Sequence, residues 1–233
     1  MCGRFMLISP AETICAKFGI STEFAALPRF NIAPTQEIIG VVKILGEESI
    51  RIMNFRWGLI PYWSRDSSIG TKLINARCET ITEKPAFRKS FRTRRTLIPA
   101  NGFYEWDKKT RPRTPYLIGL ENSQLFAMAG IWDEWTDAEK SRLITCSIVT
   151  TASNELVNSI HDRMPVLIKP EHYEAWLGET AMSPELASEI FKPYPASMMT
   201  MKAVSHKLNR AGCEGPECLT DPEPGLFGDT LTR

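Results

Sequence analysis

The chain has 233 residues, 43% of them hydrophobic and 24% charged, with a formal net charge of +1 at pH 7. This is the composition of an ordinary soluble globular protein, long enough to bury about 70% of its unfolded surface. A near-neutral charge says little overall about partners, so any nucleic-acid face must come from local clustering. MCGRFMLISP lacks the apolar stretch of a signal sequence, and no run of eighteen apolar residues occurs. Neither secretion nor a membrane span is expected, and the expected compartment is the cytoplasm.

Ser9 as N-cap, Pro10 at the first helical position and Glu12 in a capping box predict a helix that stops near Gly19. Residues 22–36 read as irregular. Ile38 to Leu45 and Ser49 to Trp57 are β-rich and joined at Gly46-Glu47-Glu48, the pattern of a hairpin. Trp57-Gly58-Leu59-Ile60-Pro61-Tyr62-Trp63 breaks that strand, and Glu79 to Glu83 reads as a short helical turn. From Thr96 the pattern is β again, through Phe103 to Trp106, Pro115 to Leu120, Leu125 to Trp132 and Leu143 to Thr150. Helices are predicted over Asn154 to Ile160, Pro170 to Leu177 and Ser183 to Phe191, and a last strand over Met198 to Val204. There is no βαβ alternation, no internal repeat and no dividing linker. The expected fold is therefore a single α+β domain with an antiparallel sheet or barrel-like core surrounded by short helices. It should occupy residues 1–210, with a loosely ordered tail over 211–233.

The six cysteines, at 2, 15, 78, 146, 213 and 218, form no framework, so reduced thiols are expected. Cys213 and Cys218 in GCEGPEC lack two further nearby ligands, which favours loop cysteines over zinc. No metal and no cofactor is expected.

Cys2 follows the initiator Met and is small enough for Met1 to be removed. The new terminus would carry an α-amine titrating near ~8, far below a lysine amine at ~10, beside a thiol. Such a pair captures an aldehyde as an imine and closes it to a thiazolidine ring. An unremarked thiol at a frayed terminus is the competing reading.

Four further stretches are dense in reactive residue types. Ile160-His161-Asp162-Arg163 places an imidazole where a helix gives way to a strand, a plausible acid or base, against the reading of a satisfied structural histidine. In Gly102-Phe103-Tyr104-Glu105-Trp106, strand alternation sends Glu105 to the face opposite Tyr104 and Trp106. A solvent-facing glutamate on an edge strand is the alternative. Asn75 and Arg77, two apart, share one face of an extended segment and suit a sugar or phosphate oxygen, or serve as loop scaffolding. Phe87-Arg88-Lys89-Ser90-Phe91-Arg92-Thr93-Arg94-Arg95 interleaves five basic residues with two rings, which suits a single nucleic-acid strand, or is a solvated face.

Taken together these residues resemble the SOS response-associated peptidase family, whose best-known members process abasic sites. The resemblance covers the chain to about residue 206 and rests on six segments in order. These are Met1-Cys2-Gly3-Arg4-Phe5, Asn31-Ile32-Ala33-Pro34, Trp57 to Trp63, Asn75 to Thr80, Ile98 to Trp106 and Ile160 to Val166. It implies that Cys2, freed of Met1, forms a thiazolidine with the ring-opened aldehyde of an abasic site in single-stranded DNA. It further implies that Asn75 holds the abasic sugar or the terminal amine, and that Glu105 and His161 assist ring opening and proton transfer. Arg4, Arg77 and Arg163 match DNA-backbone contacts, and Thr150 a site-lining position. Trp57 and Trp63 match aromatic positions near the DNA face, with a core position as the alternative for Trp57. The stretch Val204 to Arg210 follows the family's late motif only loosely.

The partner so implied is single-stranded DNA containing abasic sites, with no membrane, and a monomer would suit a site that must thread one strand. Two other classes of function compete: an N-terminal-nucleophile peptidase or amidohydrolase acting through Cys2, and a non-covalent single-stranded DNA-binding module.

Overall fold

A computed structural model of the chain describes residues 2–21, 24–44, 46, 49–178, 180–210 and 212–222. Its strands, in chain order, are β1 (Arg4–Leu7), β2 (Arg29–Ile32), β3 (Glu37–Lys43), β4 (Ile50–Trp57), β5 (Asn75–Arg77), β6 (Arg95–Ala100), β7 (Gly102–Trp106), β8 (Pro115–Leu120), β9 (Phe126–Thr136), β10 (Arg142–Ala152), β11 (Arg163–Pro165), β12 (Leu167–Ile168) and β13 (Met199–Ala203). Short helices α1 (Ala11–Phe18), α2 (Arg88–Thr93), α3 (Glu155–Asn158), α4 (Tyr173–Leu177) and α5 (Pro184–Ile190) lie between them.

Strands β10, β4, β3, β6 and β9 pair in that order, and β9 pairs back onto β10, so this sheet closes into a barrel. Closure removes the open edges on which chains aggregate. β11 and β5 extend from β10, and β12 from β9. A second sheet runs in the order β13-β8-β7-β1-β2. The fold is the α+β, barrel-cored architecture expected, with one difference: β10 runs parallel to both β4 and β5. A tight hairpin cannot make such a pairing, so local sequence carried no sign of it. Gly40 belongs to this tight interior, where a Cβ would come within 2.5 Å of Thr96 Oγ1.

β1 is buried on both faces. Phe5 and Leu7 join the main core, while Met6 turns to a second cluster with Tyr104, Val204, Leu208 and Cys218. Phe5 meets Trp57 edge-on at 5.4 Å, tying the second sheet to the barrel. Beyond Trp57, Gly58 adopts φ +129°, with its missing Cβ 2.6 Å from the Gly70 carbonyl. That backbone suits glycine alone and turns the chain out of β4.

Several local expectations shift. Helix α1 begins at Ala11 with Pro10, not Ser9, at its N-cap and so without a side-chain cap, while the Ser9 hydroxyl accepts a hydrogen bond from Asn101 Nδ2. Its end at Gly19 has the left-handed geometry expected there. Arg29–Ile32, read as irregular, pairs with β1 as β2. The hairpin of β3 and β4 forms in the register Glu37↔Arg56 to Lys43↔Ile50, with part of its turn outside the described residues.

The basic run also divides. Arg88, Lys89 and Arg92 are exposed on α2, but Arg94 pairs with buried Asp133 and Arg95 is itself buried. The Arg95 guanidinium donates to the carbonyls of Phe91, Arg92, Trp176, Gly178 and Thr180, closing the ends of two helices. An anion surface of five charges is therefore reduced to three. Of the expected loose tail, residues 212–222 pack against β2 through the turn Pro216–Leu219, and the rest lies outside the described residues. Cys213 and Cys218, expected as reduced thiols, are joined in a disulfide. Among the described residues no helix is long and apolar enough to cross a membrane.

Candidate active site

Cys2 is fully buried, one residue before the Gly3 that leads into β1. Its thiol lies 3.8 Å from the Arg4 carbonyl. The pairing of Arg4 with Tyr104 and Phe5 with Phe103 runs β7 antiparallel to β1, which brings Glu105 alongside the start of the chain. Glu105 is buried and shares the core-facing side of β7 with Phe103, away from Tyr104 and Trp106, as alternation required.

Asn75 opens β5, where its Nδ2 donates to the Cys2 carbonyl at 2.9 Å. Its Oδ1 is buried without a hydrogen-bond partner among the described residues. Buried amide oxygens are rarely left so, and an acceptor held in this way suits a ligand's donor. Asn75 therefore joins the two sheets at the residue that carries the reactive groups.

The thiol itself is held protonated: burial first, and the charge of Glu105 second, push its pKa well up. Glu105 is thus electrostatically coupled to Cys2. Its charge also reaches His161, whose pKa is lowered by burial and opposed by Glu105. Cys2, Asn75, Glu105 and His161, drawn from four separate parts of the chain, therefore converge.

His161 follows α3 and precedes β11. Its Nδ1 accepts the Arg163 backbone N–H at 3.0 Å. Asp162 Oδ1 is also 3.1 Å from Nδ1, but that carboxylate is exposed and the nitrogen lone pair is already occupied. The imidazole is therefore neutral and presents Nε2–H as a donor. A histidine whose folded pKa lies below its unfolded value of 6.5 leaves stability untouched above that pH. Below it the unfolded state gains protons first, and stability falls. Between pH 7 and 5 the wild-type unfolding midpoint in urea should drop more than that of His161→Gln. Parallel curves for the two proteins would contradict this placement.

Arg77, Arg163 and Thr150 meet at the end of β10. Thr150 pairs with Arg77 on β5 and with Pro165 on β11. The Arg163 guanidinium donates to both Glu79 carboxylate oxygens, at 2.5 and 3.0 Å, and to the Thr150 carbonyl at 2.7 Å. Arg77 is exposed beside it. Arg4 is partly buried, with Nη1 donating to Asn31 Oδ1 at 2.7 Å and the guanidinium 5.9 Å from the Trp106 ring.

The two tryptophans part company. Trp63 is 49% exposed beside Tyr62 at 52%, and the Lys89 ammonium sits 3.8 Å over the Tyr62 ring. Trp57 is fully buried, its Nε1 donating to the Ile74 carbonyl at 2.9 Å. It is a core residue, so the expectation of a DNA-facing ring is corrected at that position. Its burial follows from the Phe5 contact across the sheets, which local sequence did not reveal.

Sequence reasoning did not single out Glu79 or Asn31, although both sit in the segments quoted above. Glu79 orients Arg163 across 84 residues, and Asn31 holds Arg4 across 27. An acid and an amide each near a basic residue in space leave no spacing pattern in one sequence.

The SOS response-associated peptidase family model matches residues 1–211. The chain belongs to that family. It is 41% identical over 224 residues to the abasic site processing protein YoqW of Bacillus subtilis, covering 94% of this chain and 99% of that one. To the abasic site processing protein HMCES of Rattus norvegicus it is 31% identical, covering 72% of this chain and 56% of the relative. A solved protein of Bacteroides thetaiotaomicron superposes with a TM-score of 0.83 at 25% identity, covering 94% of this chain and 99% of that structure.

Proposed function

We propose that this family member processes abasic sites by capturing them, in single-stranded DNA, as a covalent thiazolidine on Cys2. The observation that carries the reading is the convergence of Asn75, Glu105 and His161 on a buried Cys2. Relatives named as abasic site processing proteins support it.

Capture requires a terminal amine, so Met1, which lies outside the described residues, must first leave. An abasic deoxyribose is mostly a closed hemiacetal. Glu105 takes the proton of its anomeric hydroxyl and returns it to the ring oxygen as the ring opens, while His161 Nε2–H stabilises the oxygen that develops charge. The Cys2 amine then attacks the aldehyde carbon, and loss of one water gives the imine. The thiol adds to the same carbon, its proton passing to the nitrogen, and the five-membered ring closes. Because burial and Glu105 hold the sulfur as a thiol, the amine is the first nucleophile. The same protonation disfavours a thiolate peptidase acting through Cys2.

Arg77 and the exposed Arg88, Lys89 and Arg92 would meet phosphates, with Trp63 and Tyr62 as stacking surfaces. Arg163, committed to Glu79 and Thr150, would contact DNA only along its remaining edge. A monomer acting at the nucleoid fits a site that must admit one strand.

Intact mass spectrometry of protein mixed with single-stranded DNA bearing one abasic site tests the reading. The expected mass is protein lacking Met1, plus DNA, minus one water. No such species, from protein confirmed to begin at Cys2, would overturn it. Glu105→Ala and His161→Ala should each slow capture by about 10²–10⁴-fold while single-stranded DNA affinity stays within a few-fold. Stopped-time gels and fluorescence anisotropy separate the two effects.

A further inference from the structure

The chain beyond β13 crosses the outside of the second sheet and contacts the strand that presents Cys2. Leu208 gives its carbonyl to Arg4 at 3.3 Å, and Arg210 gives its own to Asn31 Nδ2 at 3.0 Å. Trp106 Nε1 donates to Asn209 Oδ1 at 2.6 Å. Arg4 is therefore held from two sides, by Asn31 directly and by this segment, and Asn31 is held by the segment in turn.

The Val204 N–H still donates to the Pro115 carbonyl of β8 at 3.0 Å, and beyond it the described residues of the segment form no further strand. Besides these hydrogen bonds and the ion pairs Arg29–Glu214 and Lys202–Asp221, at 3.8 and 2.8 Å, its attachment is a small apolar patch and a chain reversal. The Cys213 N–H donates to the same Arg210 carbonyl that accepts from Asn31, at 3.1 Å. Cys218, five residues on, is fully buried among Met6, Tyr104, Val204 and Leu208. The disulfide thus ties the turn that fixes Arg210 to the residue that anchors the segment in the second core. The Cα atoms of the pair are 6.6 Å apart, within the span a disulfide bridges. Cys213 is only partly buried, so an external thiol can reach its sulfur.

Both cysteines lie beyond residue 211, where the family match ends. In reducing compartments, disulfides are transient and redox-sensing rather than permanent staples.

We propose that Cys213 and Cys218 form a reversible disulfide, a clasp that holds residues 205–210 and 212–219 against Arg4 and Asn31 and so sets the position of Arg4, two residues from Cys2. Opening is a two-electron exchange. An external dithiol attacks Cys213 Sγ, the S–S bond breaks to release Cys218 as a thiol, and the mixed disulfide resolves as the dithiol closes on itself. Two protein thiols and one cyclic disulfide result. The open clasp frees the Arg210 turn, and Arg4 loses its second support.

The effect on capture rests on the proposed function; the opening of the clasp does not. The full chain, equilibrated with glutathione disulfide or with dithiothreitol, is alkylated and mapped by mass spectrometry. Cys213 and Cys218 should be linked in the first and both alkylated in the second, with Cys15 and Cys78 outside any disulfide in both. Hydrogen exchange of residues 205–210 and 212–219 should rise about tenfold on reduction, and Cys213→Ser/Cys218→Ser should show the fast rate in either buffer. Capture of abasic single-stranded DNA should fall three- to tenfold in parallel, and this drop should be absent between buffers in the double variant.

Two alkylated thiols under glutathione disulfide would overturn the clasp. So would one equivalent of zinc retained by the pair with Glu217, whose carboxylate lies within 4.8 Å of both sulfurs. Unchanged exchange on reduction would overturn its structural role. Should neither redox state capture DNA, the proposed function fails while mapping and exchange still decide the clasp.

Discussion

Cys2→Ala is expected to yield no stable adduct with abasic single-stranded DNA, a loss on the order of 100-fold or more, because an intramolecular thiol at very high effective concentration is removed. The substitution deletes one buried sulfur and leaves the terminal amine in place. Asn75 bonds the backbone carbonyl of residue 2, so that contact survives in the variant. Folding should be retained at a cost of about 1 kcal/mol, the scale of a deleted buried methyl-sized group. The remaining amine can still form an imine, but an imine hydrolyses and promotes β-elimination at the neighbouring phosphate. Denaturing gels should therefore show DNA nicking in place of a shifted band. Full-rate formation of a stable adduct by Cys2→Ala would remove the ring from the mechanism.

Trp57→Ala should lower unfolding stability by about 3–5 kcal/mol, measured by urea titration. The side chain is fully buried, packs edge-on against Phe5 and satisfies the Ile74 carbonyl. Ile74 immediately precedes Asn75, so the cavity would also loosen the residue that binds Cys2. Trp63→Ala should behave oppositely. Its ring is 49% exposed, so the stability loss should stay well below that of Trp57→Ala. Affinity for single-stranded DNA should fall by about 1–3 kcal/mol, the worth of one base stacked on a ring. Equal stability losses for the two variants would contradict the assignment of one to the core and the other to the surface.

The same pair illustrates how far sequence reading reaches. Both tryptophans bracket one seven-residue stretch, and composition alone treats them alike. Gly58 separates them by turning the chain at φ +129°, which leaves Trp57 at the end of β4 inside the barrel and sends Trp63 out. A likewise local signal, five cations in nine residues, overstated the surface charge because Arg94 and Arg95 answer to Asp133 and to helix-end carbonyls distant in sequence.

What the sequence determined by itself was whatever depends on short-range periodicity and residue chemistry. The β-rich runs, the helices after Asn154, the inward face for Glu105 and the paired nucleophiles latent in Cys2 all follow from alternation, caps and functional-group reactivity. Only the tertiary structure decided which of these groups meet. The barrel closure of β9 on β10, the parallel pairing of β5 with β10 and the packing of Leu208 and Cys218 on β1 join residues tens to hundreds of positions apart. Such contacts arise from the burial of whole sheet faces, a property of the folded chain that no local window carries.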